Sequence, residues 1–434
     1  MERQGKITVV YGPNGSGKTQ YVEKMRRQMA SDRVRYLAFS DAYGPATDKA
    51  YYLQLRWNQH DIDSETPCVG TPLERAYQQS GEDTPAHQQL RDHLYDLFGM
   101  QPLLDKYVIL LSSGELRKFQ LIKTLLANPQ VLILDNPFIG LDAEARGQLN
   151  ELLQMLAQKQ LIDLYLVIAK SDDIPGYADE VQKMGEERTF TALPTLDFHS
   201  LTPSNSPQPS TSDVVIDMHQ VSIRYGERTI LKNLDWRVMK GDRWALSGQN
   251  GSGKSTLLSL VCADNPQSYA CDIALFGHQR GSGESIWEIK KRIGYVSPEM
   301  HRSYQRNLPT IHVVASGLKD TVGLYIRPTE EEKTLCRQWM RLFGIEQLAD
   351  RSFTTLSSGE QRLALVVRAF IKNPDLLILD EPLHGLDDYN RNLVRAMIEA
   401  YCQQPDKTLV MVTHYETELP LCINKRIFLK RHEG

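Results

Sequence analysis

The sequence predicts an α/β fold in two tandem copies, each a mainly parallel sheet with flanking helices and a helical insertion. Three observations lead there. A glycine-rich phosphate loop of the form G-x-x-x-x-G-K-[ST] occurs twice, as Gly12-Pro13-Asn14-Gly15-Ser16-Gly17-Lys18-Thr19 and as Gly248-Gln249-Asn250-Gly251-Ser252-Gly253-Lys254-Ser255. The string Leu-Ser-Ser-Gly-Glu occurs twice, from Leu111 to Glu115 and from Leu356 to Glu360. A branched apolar run ending in aspartate also occurs twice, Val131-Leu132-Ile133-Leu134-Asp135 and Leu376-Leu377-Ile378-Leu379-Asp380. Such a run is what a parallel strand buried on both faces looks like, with a carboxylate delivered to its C-terminal edge. Gly248 lies 236 positions after Gly12, while Gly359, Asp380 and Asp387 each lie 245 positions after Gly114, Asp135 and Asp142. The last three marks keep one register, so tandem duplication is the plain reading.

Taken in order, Lys6 to Tyr11 reads as a strand feeding the first loop, and Val34 to Phe39 as its neighbour. From Tyr51 to Tyr107 the pattern turns helical and polar, as in an inserted helical subdomain. Between Thr191 and Ser212, Pro194, Pro203, Pro207 and Pro209 alternate with Ser200, Ser204, Ser206 and Ser210, the composition of an extended, mobile linker. The expected domains are therefore 1–190, truncated at its start and altered at chemical positions, a linker over 191–212, and a complete domain over 213–434. In the second copy Arg243 to Ser247 reads as a short buried strand before the loop. Thr256 to Val261 reads as the first turns of a helix whose positive end faces an anion.

Bulk properties narrow the function class. A net charge of −4 provides no global basic field for nucleic acid, and Arg26-Arg27 and Lys290-Lys291-Arg292 read as solvated helix faces. No apolar run approaches the roughly 20 residues needed to span a bilayer. Met1 to Lys6 enters the first strand without an apolar leader, and the six cysteines show no C-x-x-C spacing. A cytoplasmic chain with reduced thiols is the expectation.

The loops carry the first chemistry. Glycines let the backbone turn its N–H groups onto phosphate oxygens. The candidate nucleotide-binding residues are Gly12, Asn14, Gly15, Gly17, Lys18 and Thr19, and in the second loop Gly248, Asn250, Gly251, Gly253, Lys254, Ser255 and Thr256. Lys254 brings positive charge to the β/γ-phosphates and is a candidate catalytic residue. Thr19 with Asp135, and Ser255 with Asp380, are candidate Mg²⁺ ligands. Glu381 follows Asp380 directly; adjacent acids at a strand end point apart, so one can hold metal while the other, as general base, addresses a water.

The two loops, the two Leu-Ser-Ser-Gly-Glu strings, Leu379-Asp380-Glu381-Pro382, Gly385-Leu386-Asp387 and Thr413-His414 together resemble the ABC-type ATPases, a P-loop NTPase family. The likeness covers nearly the whole chain outside the linker. It implies ATP as substrate, hydrolysed to ADP and phosphate with Mg²⁺, and a head-to-tail pairing of cassettes within one chain, a homodimer being the alternative. Nucleotide would then lie between the loop of one cassette and the Leu-Ser-Ser-Gly-Glu donors of the other. One composite site would unite Lys18, Thr19 and Asp135 with Ser357 and Gly359. The other would unite Lys254, Ser255, Asp380, Glu381 and His414 with Ser112 and Gly114. The resemblance makes His414 a switch histidine on the γ-phosphate and Tyr225 the aromatic that stacks on adenine.

The first half departs from that pattern. Asn136 stands where Glu381 does, Lys170 falls at the His414 position, and no counterpart of Tyr225 precedes the loop. Its composite site is expected to bind nucleotide with little or no turnover, leaving hydrolysis to the second. The family's glutamine after the next strand is also missing, replaced by Ser297-Pro298-Glu299-Met300-His301 and by Phe39-Ser40-Asp41. Within the family the run from Asp350 to Asp387, with Gly294-Tyr295-Val296-Ser297 and His301, is similar to the bacterial ModF group. That likeness implies the energising subunit of a transport system, molybdate-related by group label, working with a separate membrane permease at the inner face of the plasma membrane. The alternative is a soluble ABC ATPase acting on a ribosome or other nucleoprotein, or a nucleotide-gated regulator.

Overall fold

Both aspartate-terminated runs are central strands in the computed structural model of the chain. It describes residues 5–29, 33–38, 66–81, 83–111, 113–138, 141, 143–158, 162–198, 200–203, 212–226, 228–249, 251–298, 300, 304, 307–321 and 327–431. Two units, Met1–Glu187 and Arg188–Gly434, carry one such strand each.

In the first unit the chain runs β1 (Ile7–Tyr11), α1 (Lys18–Met29), β2 (Val34–Ala38), α2 (Gly70–Gln79), α3 (Pro85–Phe98), α4 (Ser113–Leu126), β3 (Val131–Asp135), α5 (Ala143–Gln158), β4 (Asp163–Ile168) and β5 (Glu180–Lys183). The sheet order is β2-β3-β4-β1-β5, with every pairing parallel. Successive side chains on a strand face opposite ways, and that sorts the apolar residues into two cores. Ile7, Val9, Leu132 and Leu134 join the larger core with α2 to α5, while Val10, Val131 and Ile133 join the smaller one against Val22 of α1. The described part of the helical insertion is α2 and α3. Thr84 caps α3 by accepting from His87 N, Pro85 opens it, and Gly99 closes it at φ 59°.

The second unit adds an antiparallel sheet that the sequence reading did not resolve. It comprises β6 (Val214–Tyr225), β7 (Arg228–Met239), β9 (Asp272–Leu275) and β10 (His278–Gln279), in the order β10-β9-β6-β7. The parallel sheet follows the first unit's plan: β11 (Ile293–Val296), β12 (Leu376–Asp380), β13 (Thr408–Val412), β8 (Arg243–Gly248) and β14 (Lys425–Leu429). Its helices are α6 (Lys254–Val261), α7 (Ile286–Arg292), α8 (Thr310–Lys319), α9 (Glu330–Leu342), α10 (Ser358–Phe370) and α11 (Asp388–Cys402). Leu377 and Leu379 of β12 face the helical core, whereas Leu376 and Ile378 face the core shared with the antiparallel sheet.

The linker expectation needs correcting where it is described. Leu201 is buried and Trp339 Nε1 donates to its carbonyl at 3.0 Å. Phe198 lies against Trp339 at 6.2 Å, Phe190 against Tyr389 at 6.0 Å, and Asn373 Nδ2 donates to Thr202 Oγ1 at 3.0 Å. Residues 188–198 and 200–203 are thus a strap packed on the helical layer of the second unit, because apolar anchors are interleaved with the prolines. Pro207, Pro209, Ser204, Ser206 and Ser210 lie outside the described residues.

Candidate functional site

Each phosphate loop leaves the C-terminal end of its strand and enters a helix whose first residue is the loop lysine, Lys18 in α1 and Lys254 in α6. Lys18 Nζ donates to the carbonyls of Gly12 and Pro13 at 2.6 and 2.7 Å, and Lys254 Nζ to those of Gly248 and Gln249 at 2.6 and 3.0 Å. A side chain at Gly12 would run into the Met184 carbonyl, and one at Gly248 into that of Leu429. Only glycine lets the loop pass its neighbouring strand so closely. The hydroxyls of Ser16 and Ser252 are buried with no hydrogen-bond partner among the described residues. A buried hydroxyl left unpartnered in a glycine-rich loop is the kind of group that phosphate oxygens satisfy. Asn14, Gly15 and Gly17, and Gly251, Gly253 and Thr256, fall in these turns and helix starts; Asn250 lies outside the described residues.

At the first unit's strand edge, Asp135 is buried and fully engaged. Tyr36 Oη donates to Oδ2 at 2.8 Å, Thr19 Oγ1 to the same oxygen at 3.4 Å, and Asn136 Nδ2 to Oδ1 at 2.8 Å. Burial pushes its carboxyl above the ordinary aspartate range despite these donors. A carboxylate facing a hydroxyl at this edge is an all-oxygen donor pair suited to Mg²⁺. Asp380 occupies the same edge of β12, equally buried, with Ser255 in the first turn of α6.

The acid after the aspartate is where the units diverge. Glu381 and Asn136 share a left-handed backbone, φ 50° and 53°. Glu381 Oε1 lies 2.8 Å from His414 Nε2, and Oε2 lies 2.6 Å from His384 Nδ1. Burial alone would raise its pKa, but pairing with His384 and His414 outweighs this and holds the carboxyl well below the usual glutamate range. His384 was missed in the sequence; its signal was a histidine three residues past the acid, absent from the other copy.

Sheet register corrects one assignment. Asp380 pairs with Val412, two residues before His414, and Asp135 pairs with Val167, two before Ala169. The counterpart of His414 is therefore Ala169, and Lys170 is one residue late; its Nζ lies 3.1 Å from Asp172.

The remaining sequence candidates are placed as follows. Ser357 opens α10 in a reciprocal cap: its Oγ accepts from Glu360 N at 3.4 Å, and its own N donates to Glu360 Oε2 at 2.8 Å. Gly359 is buried in that first turn. Gly114 falls in the first turn of α4, while Ser112 lies outside the described residues. Tyr225 ends β6, half-buried, with its hydroxyl accepting from Asn265 Nδ2 at 3.0 Å. Asp387 caps α11 by accepting from Asn390 N at 2.7 Å; Asp142 lies outside the described residues. Where the family's glutamine is missing, the Ser297 carbonyl accepts from Arg362 of α10 at 3.0 Å. Phe39, Ser40, Asp41, Glu299 and His301 lie outside the described residues. No helix among the described residues is long and apolar enough to cross a membrane.

Comparison with known proteins agrees with this geometry. A family model described as ABC transporter matches residues 2–139 and 231–384. The ABC transporter ATP-binding protein ModF of Escherichia coli (strain K12) is 36% identical over 96% of this chain and 89% of its own length. An uncharacterized ABC transporter ATP-binding protein of Schizosaccharomyces pombe is 30% identical over 86% of this chain and 78% of its own. Among solved structures, RNase-L Inhibitor superposes with a TM-score of 0.50 over 95% of this chain and 81% of that one, at 16% identity, a likeness of fold alone.

Proposed function

The chain belongs to the ABC transporter family as an ATPase with two tandem cassettes, and from that premise we propose that only its second cassette hydrolyses ATP. The observation that supports this is the exchange at one backbone position: Glu381 between two imidazoles in the second unit, Asn136 donating to Asp135 in the first. Asparagine is neutral and cannot take a proton from water. In this reading the loop N–H groups and Lys254 hold the β/γ-phosphates, and Glu381 accepts the proton of the attacking water. The bond between the γ-phosphorus and the bridging oxygen breaks, releasing ADP and phosphate. Mg²⁺, held by Ser255 and Asp380, would neutralise charge developing on those oxygens. His414 orients the carboxylate. Thr19 and Asp135 would hold Mg²⁺ with the nucleotide of the first cassette, which stays bound longer. Tyr225 would stack on adenine, and the donors at Ser357, Gly359, Ser112 and Gly114 would serve nucleotide held by a facing cassette.

Steady-state ATPase assays test the assignment. Glu381→Gln should remove nearly all turnover, a loss on the order of 10²–10⁴-fold, while Asn136→Gln changes it little. Comparable residual activity in the two variants would refute it.

We further propose that turnover drives a separate membrane subunit of a transport system, a role supported by the names its relatives carry and, for molybdate, by the ModF name alone. Affinity capture with Glu381→Gln under ATP should then recover a membrane protein. Recovery of ribosomes, or of nothing, would reject transport.

A further inference from the structure

We propose that His384 is a second positioning residue for Glu381, fixing the carboxylate through the oxygen that His414 leaves free. The inference rests on the reading of Glu381 as general base. Its geometry is direct: Nδ1 of His384 lies 2.6 Å from Oε2 and Nε2 of His414 lies 2.8 Å from Oε1, so each carboxylate oxygen has one imidazole. An ionised carboxylate has about four lone-pair sites. Two histidines therefore set its orientation and still leave capacity for a water.

The turn that brings the ring round is tightly made. Glu381 at φ 50° reverses the chain, His384 N donates back to the Glu381 carbonyl at 3.3 Å, and Leu383 and Leu386 are buried on either side. Base and holder are thus two ends of one closed turn, whose position is set by packing rather than by solvent-exposed side chains.

A buried histidine is more often a satisfied core group, and the first unit has one for comparison. His87 places Nε2 at 3.0 Å from the Leu126 carbonyl and Nδ1 at 3.4 Å from Ser80 Oγ, and stacks on Tyr77 at 4.5 Å. His384 differs. Its side chain is 5% exposed, yet neither ring nitrogen has a well-aligned hydrogen-bond partner among the described residues, and its polar engagement is the close ion pair of Nδ1 with the Glu381 carboxylate. Burying a ring nitrogen unpartnered is unfavourable, and an apolar side chain would fill the space without that cost. The sequence of the first copy has an apolar residue at the corresponding position. The residue 245 positions before His384 is Ile139, in the copy where Asn136 replaces the acid and Ala169 the other histidine. Acid and both imidazoles are present together or absent together.

ATPase kinetics on the full chain separate this role from a structural one. His384→Ile and His384→Gln should lower kcat on the order of 10²-fold, the scale of a misplaced catalytic group, with KM for ATP nearly unchanged. His384→Asn places an amide nitrogen where Nδ1 stands and should recover most of the lost kcat. Wild-type kcat in His384→Ile, or a rescue by Gln equal to that by Asn, would overturn the proposal. If Ile destabilises the fold, the contrast between Asn and Gln still decides it. Glu381→Gln is assayed in parallel. An inactive Glu381→Gln beside an unaffected His384→Ile sinks this inference alone, whereas an active Glu381→Gln sinks the reading beneath it.

Discussion

At the scale of single residues the chemistry is set by what surrounds two carboxylates. Asp135 accepts from Tyr36, Thr19 and Asn136, so the asparagine that stands where the second unit has Glu381 fills a structural role as a donor to its neighbour. Glu381 is ionised by its histidines against the pull of burial. A carboxyl whose folded pKa is depressed contributes stability above its unfolded value, and that stability is lost as pH falls through the folded one. Relative to Glu381→Gln, wild type should be more stable by about 1–3 kcal/mol above the ordinary glutamate value of 4.5. The difference should shrink steadily in more acidic solution. Urea unfolding followed by tryptophan emission at a series of pH values measures this in the second unit, which holds Trp236, Trp244, Trp287 and Trp339. A pH-independent difference would show that the carboxylate is not held by charge. The phosphate loops, Asp380 and Glu381 were legible in the sequence because their chemistry demands fixed residue types at fixed spacings. His384 was not, since its contact depends on a left-handed turn that no local pattern announces.

At the scale of elements the second unit depends on close helix packing around α10. Gly317 of α8 faces the Arg368 carbonyl, and a Cβ there would strike it, while Gly294 of β11 meets the Ala369 carbonyl and Pro374. Arg368 itself is buried: Nε donates to Ser316 Oγ at 3.0 Å and Nη2 to the Thr321 carbonyl at 3.3 Å. Gly317→Ala should therefore push α8 off α10 and destabilise the second unit by about 1–3 kcal/mol, as overpacking does. Thermal unfolding provides the measurement, and an unchanged midpoint would mean the helices separate freely. Strands and helices flanking each motif were readable from apolar runs and caps. The antiparallel sheet was not: β6 alternates imperfectly, its pairing with β7 interrupted by register shifts between Val214 and Arg224.

For the whole molecule, the duplication was legible from the shared 245-residue register, and each unit repeats the parallel sheet plan. The strap was hidden by composition, because proline and serine dominate a stretch whose few apolar residues do the packing. Leu201→Ala should lower the stability of the second unit by about 2–5 kcal/mol, the range for a buried leucine. It should also red-shift the emission of Trp339, whose indole N–H bonds the Leu201 carbonyl. A variant that unfolds with wild-type midpoint and spectrum would place the strap in solvent.

The matched backbone angles at 136 and 381 have one more consequence. Left-handed geometry is tolerated by asparagine and disfavoured for glutamate, by about 1–2 kcal/mol. Asn136 thus sits at ease in this joint, whereas Glu381 holds the same geometry under tension. Some of the attraction between Glu381 and its two imidazoles therefore offsets a backbone strain that Asn136 never incurs.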